Sequence, residues 1–201
     1  MFTVGITGSF GSGKSTVAGL LRAWGAELLD ADEISHQLIG KNGRCRAKVV
    51  QRFGKKILTA GQIDRKKLAA EVFTDGTKLR ALEKILHPAV GEEIKKEFKR
   101  IARRDPQAVA VIDVPLLFEA GFDRLVDAVI VVKAKRLVQL KRLKAKGVSP
   151  AEFSRRLKRQ LPIQKKERLA DCVIDNSGSL KNTQKQARKV WERIRKIDIQ
   201  H

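Results

Sequence analysis

Two periodicities alternate along the chain. Short apolar runs recur at residues 2–7 (FTVGIT), 27–30 (ELLD), 108–114 (AVAVIDV), 127–132 (DAVIVV) and 172–175 (CVID). They are rich in Val and Ile and too short for helices, so each predicts a strand. AVAVIDV is nearly continuous in its apolar character, as in a strand covered on both faces of a parallel sheet. Between the runs, apolar residues return every three or four positions. That spacing predicts a helix over 14–24 and a mostly helical stretch over about 33–104, whose last helix (89–104) carries Val90, Ile94, Phe98 and Ile101 on one face. It also predicts helices over 134–169, broken at Gly147-Val148-Ser149-Pro150 and at Pro162, and a final helix over 180–197 with Leu180, Ala187, Val190, Trp191, Ile194 and Ile197. Strands alternating with helices imply an α/β fold with a mostly parallel five-stranded sheet between helical layers. The strands are unevenly spaced, so one core with two helical insertions fits better than domains in series.

Composition narrows the class. The chain has 201 residues, of which 42% are hydrophobic, enough for a real core. No apolar run approaches the length of a membrane span, and the N-terminus lacks a basic segment before an apolar one, so neither a membrane nor a secretory route is expected. Cys45 and Cys172 stand far apart, and the histidines are His36, His87 and His201; two reduced thiols and no structural zinc are expected. The net charge is +21, and it is unevenly spread: residues 133–168 hold fourteen Lys or Arg against Glu152 and Glu167. Such a run is a solvated helix face or a site for a polyanion.

The chemistry begins after the first strand. Gly8-Ser9-Phe10-Gly11-Ser12-Gly13-Lys14-Ser15 matches G-x-x-x-x-G-K-[ST] in full, between a strand and a helix. Its glycines let backbone N–H groups turn inward around phosphate oxygens, and the helix N-terminus adds positive potential. Lys14 is expected to bridge the β- and γ-phosphates, and Ser15 to ligate Mg²⁺. Asp113, at the end of an apolar strand, is the expected acid on the metal. Asp30-Ala31-Asp32 closes the second strand. Read as strand, both carboxylates share a face at the carboxyl edge of the sheet, where Asp32 could orient an acceptor hydroxyl; read as a helix start, Asp32 is a capping residue. Arg142, Arg155, Arg156 and Arg159 in the basic run are candidates for a lid that brings cations onto a transferring phosphoryl group. No Asn-Lys-x-Asp segment appears, which argues against a GTPase.

Together these segments resemble dephospho-CoA kinase over essentially the whole chain. The resemblance rests on the GSGKST segment at 11–16, Asp30-Ala31-Asp32, Asp64-Arg65-Lys66-Lys67-Leu68 followed by Val72-Phe73, and His87-Pro88. It continues with Asp113-Val114-Pro115-Leu116-Leu117-Phe118-Glu119, Arg142, Arg156 with Gln160, Ala170-Asp171, and Asn176-Ser177-Gly178-Ser179. It implies a three-layer P-loop core from residues 1–32, 105–134 and 166–201. A helical insertion over 33–104 would hold dephospho-CoA, and residues 135–165 would form a basic lid. It implies transfer of the ATP γ-phosphoryl group to the 3′-hydroxyl of dephospho-CoA in a cytoplasmic monomer or weak homo-oligomer, with ATP and Mg²⁺ and without specific nucleic acid.

The implied nucleotide site is Gly8, Gly11, Ser12, Gly13, Lys14, Ser15 and Thr16, with Asn176 near the adenine. Asp32 would face the acceptor hydroxyl and Arg142 the phosphates. The acceptor would be held by Arg65, His87, Pro115, Leu116, Glu119 and Arg156. The chain departs from the family pattern at Ser9-Phe10, where Gly and an aliphatic residue are usual, so a stiffer loop is expected. It departs again at Lys146, where Arg is common. His87-Pro88 also reads as a helix boundary, since the residue before Pro avoids the helical region. The rival readings are a nucleoside or nucleoside-monophosphate kinase on the same core, and an ATP-switched nucleic-acid-binding protein.

Overall fold

The computed structural model describes residues 1–73 and 75–198; Thr74 and residues 199–201 lie outside the described residues, as do the side chains of Phe73, Ile197 and Asp198. His201 and the side chain expected at Ile197 on the final helix therefore lie outside them too. The chain forms two compact units, one of residues Met1–Leu29 with Glu97 onward and one of Asp30–Lys96.

The first unit is built on strands β1 (Phe2–Gly8), β2 (Glu27–Asp30), β5 (Val109–Asp113), β6 (Ala128–Lys133) and β7 (Cys172–Asp175), in the order β2-β5-β1-β6-β7. The three pairings β5–β1, β1–β6 and β6–β7 are parallel. Their register runs from Phe2 opposite Val109 to Ile6 opposite Asp113, and from Val4 opposite Ala128 to Gly8 opposite Val132. The five strands expected from the apolar runs are therefore all present, each within a residue of its expected bounds. Alternation along β1 sorts its side chains. Val4 and Ile6, both fully buried, join Val109, Val111, Ile130, Val132 and Ile174 beneath two helices, α1 (Lys14–Ala23) and α9 (Leu180–Asp198). Those helices contribute Val17, Ala18, Leu21, Ala187, Trp191 and Ile194. Burying each such aliphatic side chain is worth about 2 kcal/mol, so this layer carries much of the stability. On the opposite face a Cβ at Gly5 would lie 2.9 Å from a Leu117 methyl, so the segment after β5 packs directly on the strand backbone.

The basic stretch folds into α6 (Arg136–Lys144), α7 (Pro150–Leu157) and α8 (Ile163–Arg168), with breaks where Gly147–Pro150 and Pro162 placed them. Ser149 Oγ accepts from the Glu152 N–H at 3.2 Å and Pro150 opens the helix, an ordinary start for α7. These helices cluster with the first unit.

The second unit holds α2 (Ala31–Ile39), α3 (Arg46–Phe53), α4 (Arg65–Phe73) and most of α5 (Gly76–Arg104). It also contains an element the periodicity missed, a hairpin of β3 (Leu58–Thr59) and β4 (Gln62–Ile63). Its turn places Ala60 at φ 47° and Gly61 at φ 74°. Alanine is a poor residue for a left-handed position, so the usual Asn-Gly signal was missing from the sequence. The helix boundary expected at His87-Pro88 is corrected: α5 runs through Pro88. Pro88 forgoes one backbone hydrogen bond, and buried Leu86, Ala89, Val90 and Ile94 around it hold the helix together. Cys45 and Cys172 are both free thiols, each pushed up in pKa by burial. No helix of the described residues is long and apolar enough to cross a membrane.

Candidate active site

β1 delivers the chain to a turn at its carboxyl end, and α1 leaves from it. Gly13 caps α1 in the left-handed region (φ 85°, ψ 29°) without a side-chain bond, and the first turn carries no acid. The positive end of the helix is therefore not neutralised by its own sequence, which suits an anion. The need for glycine at 13 is steric as well: a Cβ there would fall 2.1 Å from Asn176 Nδ2 and 3.3 Å from an Arg142 nitrogen. At Gly8 a Cβ would meet the Val132 carbonyl oxygen at 2.2 Å. Ser9 and Phe10, by contrast, are not at left-handed φ; within the loop that conformation is confined to Gly11 and Gly13. The departure at Ser9-Phe10 therefore adds no backbone strain to the turn.

Four side chains from three other segments fasten this loop. Asn176, 3% exposed just after β7, donates to the Ser12 carbonyl at 2.8 Å and accepts from Thr183 Oγ1 at 2.7 Å. Arg142 of α6 donates to the Ser12 carbonyl at 3.1 Å and to the Asn176 carbonyl at 2.8 Å. Gln139, one turn earlier, donates to Ser9 Oγ at 2.7 Å. Gln160, beyond α7, accepts from the Phe10 N–H at 2.8 Å and donates to the carbonyls of Gly8 (3.2 Å) and Pro115 (3.1 Å). These contacts surround a cavity of about 790 Å³ lined by the loop, Pro115, Arg142, Lys146, Arg156, Asn176 and Gly178. Its volume suits a ligand the size of a nucleotide.

Lys14, on α1, pairs with Asp113 at the end of β5. The two side chains are only 16% and 13% exposed. Ser15 is exposed beside them. Among the described residues no three His, Cys, Asp or Glu side chains cluster to hold a metal. The chain offers one carboxylate and one hydroxyl at this point, a donor set that fits Mg²⁺, which takes most of its other oxygens from phosphates and water.

Behind the loop lies a group the sequence did not single out. Lys166 is fully buried, although it belongs to the basic run. Its ammonium donates to the Pro115 carbonyl at 2.9 Å and pairs with Glu119 Oε1 at 2.9 Å. Burial pushes its pKa down, and Glu119 opposes that shift. Glu119 Oε1 also accepts from the Leu161 N–H at 2.7 Å, while Oε2 is buried without a hydrogen-bond partner. Pro115 and Glu119 thus tie the segment after β5 to the chain returning from α7. Removing one partner from a buried pair exposes the other to an uncompensated site. Lys166→Met is expected to cost about 3 kcal/mol of unfolding free energy, read from urea denaturation, and Lys166→Met/Glu119→Leu to recover part of that loss. Wild-type stability in the single variant would show the pair to be idle.

In the second unit the expected side chains stand as follows. Asp30, not Asp32, caps α2: its Oδ1 accepts from the N–H groups of Asp32 (2.8 Å) and Glu33 (3.1 Å). This corrects the strand-face reading of the pair, because the helix begins at Ala31. It also leaves the exposed Asp32 carboxylate outside the cap. Asp64 plays the same part for α4, accepting from the N–H groups of Lys66 and Lys67 at 2.9 and 3.2 Å and from Thr59 Oγ1 at 2.9 Å. Its pKa is lowered, chiefly by the Lys67 N–H. Arg65 is exposed beside it. His87 is half-buried, and burial lowers its pKa, with nearby Glu83 pulling the other way.

A family model described as dephospho-CoA kinase matches residues 2–182. The chain belongs to the dephospho-CoA kinase family. A dephospho-CoA kinase from Aquifex aeolicus is 44% identical over 195 residues, covering 96% of this chain and 98% of that protein. Among solved structures, the protein TT1252 from Thermus thermophilus superposes with a TM-score of 0.81 at 34% identity, covering 94% of this chain and 95% of that one. A dephospho-CoA kinase from Campylobacter jejuni gives 0.71 at 27% identity, with 96% and 97% covered. As a member of this family the chain is an ATP-dependent kinase on a P-loop fold.

Proposed function

We infer that the chain transfers the γ-phosphoryl group of ATP to the 3′-hydroxyl of dephospho-CoA, giving coenzyme A and ADP. The observation that carries the reading is the uncapped, glycine-shaped start of α1 facing a nucleotide-sized cavity, with Lys14 and Asp113 paired at its edge, in a chain of this family. Phosphoryl transfer asks little covalent chemistry of a protein and much positioning and charge stabilisation.

The residues divide that work. Backbone N–H groups over residues 11–16 cradle the phosphates, and Lys14 moves from Asp113 to the β- and γ-phosphate oxygens. Ser15 and Asp113 would hold Mg²⁺, whose chemistry there is to neutralise charge on the transferring group. Asn176 holds the loop on the adenine side. Asp32 accepts the proton of the attacking hydroxyl and orients it. Arg142 and Arg156, both lining the cavity, supply positive charge where it develops in the transition state. Arg65, His87, Leu116 and the Pro115–Glu119 segment bind dephospho-CoA. The Pro115 carbonyl is already taken by Thr7, Gln160 and Lys166, so Pro115 contributes by the position of its backbone. A pyrophosphate-bearing acceptor and ATP are both polyanions, and the net charge of +21 draws them in. We place the enzyme in the cytoplasm as a monomer or weak homo-oligomer.

The test is ADP release by the purified chain with Mg-ATP and, in turn, dephospho-CoA, adenosine, AMP, CMP or no acceptor. Release that requires dephospho-CoA and yields CoA is the expected result. Release only with a nucleoside or nucleotide would move the chain to another small-molecule kinase activity. No acceptor-dependent release would remove the kinase reading.

A further inference from the structure

Phe10 stands inside the phosphate loop, yet its ring is turned to α7. It lies beneath the Arg156 guanidinium, whose Cζ is 4.5 Å from the ring centroid, and beside the buried Phe153 ring at 6.4 Å, tilted by 32°. Phe153 and Arg156 are three residues apart and so neighbours on one helix face. Phe153 also carries Arg136, whose Cζ is 5.8 Å from its ring centroid. The backbone of Phe10 is fixed at the same time, through its N–H to Gln160. One edge of the Arg156 guanidinium is held by Glu152 at 2.7 Å, and its side chain is half exposed toward the cavity.

We propose that Phe10 is a positioning residue for phosphoryl transfer, holding Arg156 by its face so that its edge is presented to the phosphate oxygens. The inference rests on the reading of Arg156 as a phosphate contact. A guanidinium has its five donors in its plane, so an aromatic face and a phosphate can be engaged together. Glu152 differs, because it occupies an edge that an incoming phosphate would take. The ring contact is therefore kept on the way to the transition state while the Glu152 contact is exchanged. The ring also restricts a long, flexible side chain before substrate arrives, which lowers the ordering cost during catalysis. Phe10 thus turns the sequence departure in the loop into a link between loop and lid.

The experiment compares Phe10→Leu, which keeps apolar bulk and removes the π face, with Phe10→Tyr, which keeps the face. Both are measured in the full chain and again with Arg156→Met. Phe10→Leu is expected to lower kcat about 5-fold, in the range of an exposed cation–π contact, with KM for ATP changed less than about 2-fold. Phe10→Tyr is expected to stay within about 2-fold of the parent. In the Arg156→Met background, Phe10→Leu is expected to have no further effect. Equal losses in the Leu and Tyr variants, or an undiminished Phe10→Leu effect without Arg156, would overturn the proposal while leaving the role of Arg156 intact. An Arg156→Met enzyme with unchanged kcat would instead remove the Arg156 reading, and this proposal with it. Should Phe10→Leu fail to melt cooperatively, Phe10→Met makes the same comparison.

Discussion

Replacing Lys14 with alanine is expected to cut turnover with dephospho-CoA by about three orders of magnitude, the scale for losing a preorganised charge at the reacting group. The variant should still melt cooperatively. Lys14 lies at the first turn of α1, at the carboxyl edge of the sheet, and the core under α1 is made by Val17, Ala18 and Leu21, further along the same face of the helix. The ion pair with Asp113 is lost, so a modest drop in melting temperature is part of the expectation. The measurement is coupled-assay turnover beside a thermal melt. Turnover near that of the parent, in a folded variant, would remove the phosphate loop from the mechanism.

The second large effect concerns the acceptor side. Asp32→Asn is expected to lower kcat by about 10²- to 10³-fold, within the range for losing a positioned base, with ATP affinity unchanged. The substitution is nearly isosteric, and the local fold does not depend on the Asp32 carboxylate. Asp30 is the residue that caps α2, through bonds to the Asp32 and Glu33 N–H groups. Asp30→Ala is the informative contrast, with helix stability reduced by about 1 kcal/mol. ATP binding measured by calorimetry, set against kcat, separates the roles. A fall in ATP affinity with kcat preserved would assign Asp32 to the nucleotide or its metal and place the base elsewhere.

The parts that were legible in the sequence share a physical cause. AVAVIDV and DAVIVV read as strands because burial on both faces leaves no polar alternation to confuse. The turn before α1 read as a turn because the left-handed φ of Gly11 and Gly13 is a local requirement that glycine announces. The hairpin at β3 and β4 was hidden because Ala60 carries a left-handed φ that its residue type does not announce. Pro88 was misread as a boundary because tertiary packing around Leu86 and Val90 outweighs one missing hydrogen bond. Asp30-Ala31-Asp32 read equally as a strand face or as a helix start capped by Asp32; the helix begins at Ala31, and Asp30 is the cap. Lys166 was one more cation in a basic run. Its burial depends on Pro115 and Glu119, some fifty residues away in sequence, and nothing in its immediate neighbours records that. Gln139 is of the same kind: its contact with Ser9 spans 130 residues.

Gly13, Arg142 and Asn176 meet at one point, with the Ser12 carbonyl between them. The consequence is one of inheritance. No one of the three can drift alone, since a side chain at 13 would occupy the space of the Asn176 amide, and a shorter residue at 176 or 142 would strip the loop carbonyl of a donor. The first turn, α6 and the segment after the last strand must therefore vary as a single unit, although some 130 residues of chain separate the first from the second.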